Sequence, residues 1–400
     1  MKKIIKIVPH SGQNGIALPL ALVSIVILLV MGTGLLELGV KARILTIRST
    51  SEISARCAAD AGLTQALYEM NNRLKVKPWN GDFLPTETGH SLPNSSATYS
   101  FYVTGDIVSG YNVVSIGTCG ANQKQVVCDL KLQGPFECAI FVEENIELKN
   151  SASVDWYNNQ TGDEPMQVAT NSILPGSVIL KNSSYINGDV VVGAKGNPDS
   201  VISDFGATIT GETGYMLLPR PIVSVTVPDS LSDLPSGGTL KNNTIITSSA
   251  KYDSINLKNS KTITIEGDVS LYITGDIILG NSAEIEIEED SSLILYLGGN
   301  FEGKNSSTIN NETQIPKNWR IYALDSCESI VLKNSSDFYG TIYAPNAEVT
   351  MDNSADMHGS IVAKNFDQKN SGDFNYDASL RDVSSDDEMV SFVIANWSEQ

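Results

Sequence analysis

The pattern that decides the fold is Ile255-Asn-Leu-Lys-Asn-Ser-Lys-Thr-Ile263: a short apolar strand, a polar corner with Asn-Ser, and a second apolar strand. It returns as Ile277-Ile-Leu-Gly-Asn-Ser-Ala-Glu-Ile285, and further copies lie on both sides. The asparagines at these corners are Asn150, Asn182, Asn259, Asn281, Asn334, Asn353 and Asn370. Self-similarity at a spacing of about 20–50 residues is typical of repeat architectures.

The chemistry of these copies favours a mainly β fold over residues 138–383. Short strands of Val, Ile and Leu alternate with corners, and a second element, as in Gly267-Asp-Val and Gly275-Asp-Ile, accompanies them. We predict a β-solenoid, a right-handed parallel β-helix in which apolar side chains stack inward on the next coil. Asn or Gly is expected to take the left-handed backbone at the corners, and stacked Asn side chains to hydrogen-bond along the axis. A β-sandwich with similar turns is the alternative.

Shorter segments lie before and after the repeat of residues 138–383. Residues 76–96 are rich in Pro, Gly and Ser and are predicted to be a linker. Strand-like runs at 97–104, 111–118 and 125–132 predict a small antiparallel sheet over residues 97–137. The segment 384–400 begins acidic and becomes apolar, and we expect it to cap the open end of the solenoid.

The N-terminal segment predicts a helix that crosses a membrane. Residues 16–36 carry no charge, and about 21 residues at about 1.5 Å each match a hydrocarbon core of about 30 Å. Lys2, Lys3 and Lys6 lie in the leader 1–15, which leaves the N-terminus in the cytoplasm and the body outside. Helical spacing continues to residue 75, so one long helix is predicted over 16–75. A cleavable secretory signal, a plain signal anchor and a prepilin are the three interpretations.

The charge distribution argues against binding of nucleic acid. The formal net charge is −19, although residues 1–77 hold ten Lys and Arg against four acids. The remainder of the chain is therefore more acidic than the total and repels phosphate backbones.

Two motifs resemble type IV pilin-like proteins, in particular the PilX-type pilus-assembly N-terminus. They are Asn14-Gly-Ile-Ala-Leu-Pro-Leu-Ala-Leu22 and Ala58-Ala-Asp-Ala-Gly-Leu-Thr-Gln-Ala-Leu67. The resemblance implies that a prepilin peptidase cuts between Gly15 and Ile16. It also implies that the helix joins other pilin or pseudopilin subunits in the inner membrane or a filament. Major pilins have Glu where this chain has Leu20, which favours a minor component.

A second resemblance covers roughly residues 250–382. The run that begins Phe338-Tyr-Gly-Thr-Ile-Tyr-Ala-Pro and continues through Gly359-Ser-Ile-Val-Ala-Lys is similar to a bacterial domain of uncharacterised function. That domain often follows PilX-type N-termini. The resemblance therefore supports the predicted architecture of the chain and does not indicate an activity.

Catalytic signatures are missing from the sequence. His10, His90 and His358 are the three histidines, and no HExxH, GxSxG or phosphate-binding loop is present. We expect a structural protein without cofactor or metal, and the alternative is a β-helix polysaccharide lyase or hydrolase. Its candidate acids would be Asp189, Asp268, Asp276, Asp337 and Asp356, which turn positions explain equally well. Calcium at the Asp- and Asn-rich turns is also conceivable.

The five cysteines contain no CxxC pair. Cys119 and Cys128 flank a polar turn and are either a disulfide across a hairpin or two buried thiols. The sequence as a whole predicts a minor pilin-like cell-envelope protein. It would display a β-solenoid outside the membrane, with an adhesive surface for an unidentified or polysaccharide ligand.

Overall fold

The computed structural model describes residues 17–149, 151–158, 164–181, 183–304, 306–333, 337–352, 356–369 and 372–399. The chain divides into two compact units. The first contains residues 1–131 and 392–400, and the second contains residues 132–391. The predicted boundary at 137/138 therefore falls six residues late, and the last residues return to the first unit.

The helix α1 runs from Ala17 to Leu74. Pro19 lies in its first turn, where the missing N–H is not needed, and no further proline occurs before Pro78. Pro78 disfavours helical backbone at the residue before it, so the helix ends upstream. The predicted helix over 16–75 is confirmed over the described residues to within one residue at its C-terminal end.

Strands follow α1 in this order along the chain: β1 (Thr86–Ser91), β2 (Thr98–Asp106), β3 (Gly110–Cys119), β4 (Asn122–Gln133), β5 (Ile140–Val142), β6 (Ile146–Leu148), β7 (Ser153–Asn158), β8 (Gln167–Thr170), β9 (Val178–Lys181), β10 (Tyr185–Ile186), β11 (Asp189–Val192), β12 (Ile202–Phe205), β13 (Thr208–Ile209) and β14 (Thr213–Tyr215). The later strands are β15 (Thr239–Leu240), β16 (Thr244–Ile246), β17 (Ala250–Tyr252), β18 (Ser254–Leu257), β19 (Thr262–Ile265), β20 (Asp268–Ile273), β21 (Ile277–Leu279), β22 (Glu284–Ile287), β23 (Ser292–Leu297), β24 (Phe301–Gly303), β25 (Thr308–Asn311), β26 (Trp319–Ala323), β27 (Ser329–Leu332), β28 (Phe338–Met351), β29 (Met357–Gln368), β30 (Asp373–Asp377) and β31 (Ser391–Glu399). Short helices are α2 (Pro198–Val201), α3 (Asp229–Ser232) and the 3₁₀ turns Pro316–Asn318 and Ala378–Arg381.

The first unit holds a five-stranded sheet in the order β1-β2-β3-β4-β31, with β1 to β4 antiparallel. The three strands predicted from alternation correspond to β2, β3 and β4. Two expectations were wrong. Strand β1 lies inside the predicted linker, because its polar sequence pairs through the backbone and shows no apolar alternation. The predicted cap supplies β31, whose Phe392 packs against Trp79 and Tyr111 with ring centroids 5.5 and 5.2 Å away.

Small residues let α1 approach this sheet closely. Ala55, Ala58, Ala59 and Ala66 are fully buried, and Gly117 of β3 faces the helix backbone. The hydroxyl of Ser115 donates a hydrogen bond to the carbonyl oxygen of Ala59 at 2.7 Å. The small-residue stretch that resembles pilin-like helices is therefore the packing surface of the C-terminal part of α1.

The second unit is built mainly from parallel strands. A sheet of 22 strands contains β5 to β15, β17, β18, β20, β21, β23, β24 and β26 to β30 among its members. Many of these strands pair with the strand three places further along the chain, as β18 does with β21 and β21 with β24. A separate four-stranded parallel sheet has the order β16-β19-β22-β25. The prediction of a mainly β body with parallel strands is confirmed.

Parallel register aligns the apolar residues of successive strands into buried columns. One column of directly paired residues consists of Leu271, Leu295, Ile321, Ile342, Ile361, Ile140, Val168 and Val190. Every member is at most 2% exposed. A continuous apolar core of this kind forms only when each strand is covered on both sides by its neighbours.

The order of the strands in space differs from their order in the sequence. Strand β29 pairs with β28 on one side and with β5 and β6 on the other, so the early strands extend the stack beyond the late ones. The segment between β14 and β15 therefore connects one part of the stack to another. Along it, the hydroxyl of Tyr343 donates to the carbonyl of Val223 and accepts its N–H, each at 2.8 Å.

The corners correct one detail of the sequence prediction. The left-handed residue is the serine of the Asn-Ser pair, with φ of 58° at Ser260 and 54° at Ser282. The side chain of the asparagine bonds the next Asn-Ser corner: Oδ1 of Asn259 accepts the N–H of Asn281 at 3.0 Å. The expected asparagine bonding along the stack is thus present at this pair. Asn150, Asn182, Asn334, Asn353 and Asn370 lie outside the described residues.

Replacement of Gly117 tests the close packing of α1 on the sheet. In Gly117→Ala the new Cβ overlaps the carbonyl oxygen of Ala55 and the amide nitrogen of Ala59, both backbone atoms. We expect destabilisation by about 1–3 kcal/mol, as for an overpacked core. Thermal unfolding in detergent measures it, and hydrogen exchange should localise the loss of protection to β3 and the facing helix. The control is Gly214→Ala, where a Cβ meets nothing within 4 Å. Equal melting of the two variants would contradict the packing described.

Candidate functional site

The N-terminal part of α1 is an exposed apolar surface. Large apolar side chains from Leu18 to Ile47 are 45–78% exposed, and no charged residue occurs between Ala17 and Leu36. This is the one described helix that is long and apolar enough to cross a membrane, judged by length and composition. Such a surface is stable only when lipid or other apolar helices cover it. Gly15 and Ile16, the predicted processing junction, lie outside the described residues.

The two candidate disulfide cysteines are not brought together. Cys119 pairs with Asn122 in the β3–β4 hairpin, whereas Cys128 pairs with Val113 further along the same ladder. Both are buried free thiols, as are Cys138 and Cys327, while Cys57 is exposed on α1. Of the two interpretations given above, a disulfide or two buried thiols, the structure has two buried thiols, because the register places Cys119 and Cys128 at different heights of the hairpin.

Three of the candidate acids accept hydrogen bonds from residues 23 or 24 positions further along the chain. Oδ1 of Asp189 accepts the N–H of Glu212 at 2.8 Å, and Oδ1 of Asp276 accepts the N–H of Asn300 at 2.8 Å. Asp268 accepts the hydroxyl of Ser292 at 2.6 Å. These carboxylates bridge neighbouring strands, and turn positions account for them.

The other two acids meet a histidine at the start of strands β28 and β29. Asp337 precedes β28, and Asp356 precedes β29 by one residue. The register pairs Phe338 with Met357 and Tyr339 with His358. The residues just before these pairs, Asp337 and Asp356, therefore also lie side by side. We call Asp337, Asp356, His358, Tyr339 and Tyr157 the Asp-His-Tyr cluster.

The ring of His358 is held between two tyrosines. It stacks on Tyr339 with centroids 4.2 Å apart and an interplanar angle of 8°, and Tyr157 meets it edge-on at 4.6 Å. The hydroxyl of Tyr157 donates to the carbonyl of Gln314 at 3.3 Å. Tyr157 belongs to β7, which reaches this position because β30 pairs with β7 and with β29.

Burial sets the titration of the cluster. It lowers the pKa of His358 below the ordinary value, against the opposing effect of Asp337, Asp356 and Asp373. Burial also raises the pKa of Tyr339, and Tyr157 and the nearby aspartates add to that shift. The histidine is therefore favoured in its neutral form, in which a ring nitrogen has a free lone pair.

One candidate ligand atom from each of Asp337, Asp356 and His358 lies within 4.8 Å of the other two. Two carboxylates and an imidazole at this separation can accept hydrogen bonds, exchange protons or hold a cation. The sequence offers all three residues as candidates but predicts no partner for His358. The alignment of Tyr339 with His358 in the two Gly-x-Ile strands was the signal that could have shown their proximity.

Comparison with protein families gives one match, which lies within the second unit. Residues 219–383 match a domain of unknown function (DUF7305). This match covers less than half of the chain and agrees with the similarity noted over residues 250–382. No curated protein matches the chain.

Solved structures that are similar to the chain include the competence-associated pilin ComZ from Thermus thermophilus. It is 12% identical, with 88% of this chain and 98% of that chain covered and a TM-score of 0.34. An ice-binding protein from Antarctomyces psychrotrophicus is 14% identical, with 59% and 94% covered and a TM-score of 0.24. One from an Antarctic Flavobacteriaceae bacterium is 10% identical, with 59% and 79% covered and a TM-score of 0.24. Scores this low establish neither a shared fold nor a shared function.

Thiol labelling tests the placement of the cysteines. Burial raises the pKa of the Cys128 and Cys327 thiols to about 11 in each case, so at pH 8 only about one molecule in a thousand carries the reactive thiolate. We expect iodoacetamide to modify Cys57 in the native chain and to spare Cys128 and Cys327, as read by peptide mass spectrometry. In denaturant all five should react. Recovery of a Cys119–Cys128 cross-linked peptide would contradict the structure.

Proposed function

We propose that this chain is a minor pilin-like or pseudopilin-like structural protein of the cell envelope. The observation that carries the proposal is the continuity of α1. The same uninterrupted helix presents an exposed apolar surface from Leu18 to Ile47 and then packs by small residues on an antiparallel sheet. A membrane anchor alone needs about 20 residues, whereas α1 has 58.

The length of α1 gives the apolar segment two possible environments. At about 1.5 Å per residue the helix is roughly 87 Å long, far more than the roughly 30 Å of a hydrocarbon core. The uncharged part from Ala17 to Leu36 fits the inner membrane. The same face would fit the apolar helices of other pilin or pseudopilin subunits. Processing by a prepilin peptidase between Gly15 and Ile16 belongs to this proposal.

The second unit would be displayed outside the membrane, with the N-terminus in the cytoplasm. We propose that its stacked parallel strands wind as a right-handed β-solenoid with an adhesive surface. Two observations support this interpretation. Strands repeatedly pair with the strand three places further along the chain, and their apolar residues form continuous buried columns. The acidic composition keeps such a domain dispersed and away from nucleic acid.

The non-enzymatic character of the chain is part of the proposal. The alternative is a membrane-anchored polysaccharide lyase or hydrolase, and the Asp-His-Tyr cluster is the observation that favours it. Glycoside hydrolysis uses two carboxyl groups that flank the scissile bond, and the cluster contains two neighbouring aspartates. Release of unsaturated or reducing sugars from acidic polysaccharides by the full chain would favour this alternative.

The N-terminal residue of the protein from its native envelope tests the pilin-like proposal. We expect a chain that begins at Ile16, because a peptidase of this class cuts after the glycine of a short basic leader. Mass spectrometry of the intact protein measures it. The variant Gly15→Leu should keep Met1, and the matched control Gln13→Ala should be processed normally. A native chain that still begins at Met1 would leave a plain signal anchor.

The membrane role of the exposed apolar surface has a separate test. Ile25 and Leu29 are 62% and 65% exposed, so their replacement leaves the packing of the first unit unchanged. Each arginine at the centre of a spanning helix costs about 2.5–3.5 kcal/mol of insertion free energy. We expect Ile25→Arg with Leu29→Arg to lower the fraction that resists alkaline extraction from membranes. The control is Ile25→Leu with Leu29→Ile. Unchanged retention of the arginine variant would refute the role.

A further inference from the structure

We propose that Asp337, Asp356 and His358 form a binding site for a divalent transition-metal cation. The site goes beyond the proposed envelope function and does not depend on it, because it lies entirely within the second unit. The occupant is identified by its chemistry, two carboxylates and one imidazole. Four features of the cluster carry the argument: its register, its free ligand atoms, its charge and its fixed histidine ring.

The parallel register creates the site. Phe338 pairs with Met357, and Met357 pairs with Phe374, so the residues that precede them (Asp337, Asp356 and Asp373) form one column across three strands. Neighbouring strands lie about 4.8 Å apart, a spacing at which side chains of one column reach a common ligand. His358 is two residues after Asp356 and therefore on the same face of its strand. The ligand atoms of Asp337, Asp356 and His358 accordingly fall within 4.8 Å of one another.

Each carboxylate keeps an oxygen for a ligand. Oδ1 of Asp356 accepts the N–H of Asp373 at 2.9 Å, and Oδ1 of Asp337 receives the N–H of Asp356 at 3.4 Å. These bonds fix the two side chains and leave the second oxygen of each carboxylate available. The metal would add to the coil-to-coil hydrogen bonding rather than compete with it.

The charge of the column calls for a cation. Asp337, Asp356 and Asp373 place three carboxylates side by side, and none of the ion pairs found among the described residues includes them. The hydroxyl of Ser153 donates to Asp373 at 2.5 Å, which is a neutral partner. Carboxylates on neighbouring strands repel one another, and a divalent cation between them removes this repulsion.

His358 supplies an observation independent of the acids. Its Nδ1 is buried and has no hydrogen-bond partner among the described residues. The contacts with Tyr339 and Tyr157 fix the orientation of the ring. A buried polar atom without a partner carries a free-energy cost that coordination of the imidazole to a metal helps to offset.

The donor set selects the class of metal. Ca²⁺ and Mg²⁺ take oxygen ligands, whereas an imidazole together with carboxylates suits Zn²⁺ and related first-row ions. At zinc–ligand distances of about 2.0–2.2 Å, a tetrahedral site separates two ligand atoms by roughly 3.4 Å. Rotation of the two carboxylate side chains would have to reduce the present separation of up to 4.8 Å to this value. Water would occupy the fourth position of a tetrahedral site.

Zinc binding by the full chain in detergent tests the site. Protein treated with a chelator and then freed of it is titrated with ZnCl₂ in a calorimeter, and thermal unfolding is measured with and without the metal. We expect one saturable site and a rise in the melting temperature with zinc. His358→Phe keeps the ring stack on Tyr339 and removes both nitrogens, and Asp356→Asn removes one charged ligand. Each should weaken binding by at least about tenfold.

The control is Asp276→Asn, which changes a carboxylate of the same coil-bridging kind with no histidine beside it. It should bind zinc as the unaltered chain does. Circular dichroism of each variant without metal establishes that it is folded. The proposal is overturned if the unaltered chain shows no saturable binding. It is also overturned if folded His358→Phe binds zinc as tightly as Asp276→Asn. Neither result bears on the N-terminal processing test.

Discussion

The structure of the second unit depends on the parallel register of its buried apolar columns. Leu295, Ile321, Ile342 and Ile361 each lie between the same kind of side chain on the strands before and after. A shift of one residue in any strand would turn its apolar set toward solvent and its polar set toward the core. Because this penalty applies to every strand, the register is fixed along the whole stack. Corner hydrogen bonds, such as that between Asn259 and Asn281, then join strands whose relative position is already determined.

The column that contains Ile342 and Ile361 also explains why the strands that come first in the sequence follow the last ones in space. Ile361 of β29 pairs with Ile140 of β5, although 220 residues separate them in sequence. The strands β5 to β14 thus extend the stack that begins with the late strands. The Asp-His-Tyr cluster follows from the same arrangement: Tyr157 reaches His358 only because β7 lies beside β30, and β30 beside β29. The contact with Tyr157 is a product of strand order, whereas the pairing of Tyr339 with His358 follows from the two similar Gly-x-Ile strands.

The helix α1 meets two physical environments along one continuous backbone. Its last third contributes alanines and a glycine that lie against β3, where larger side chains would not fit. Its segment from Leu18 to Leu36 carries no charge, and the large apolar side chains there are exposed. A helix that is apolar all round is stable inside a membrane or a bundle of helices, and an amphipathic one on the surface of a domain. The change from one composition to the other shows where the domain begins.

The sequence by itself determined the long helix, the small sheet of β2 to β4 and the parallel β body, because each has a local signal. An uncharged apolar run, alternating apolar residues and repeated Asn-Ser corners are all visible over a few residues. The tertiary structure alone decided the pairing of β31 with β4, the separation of Cys119 from Cys128, the left-handed serines and the assembly of Asp337, Asp356 and His358. These features depend on which strands become neighbours. That choice is made by burial of the whole apolar surface, to which residues far apart in the sequence contribute together.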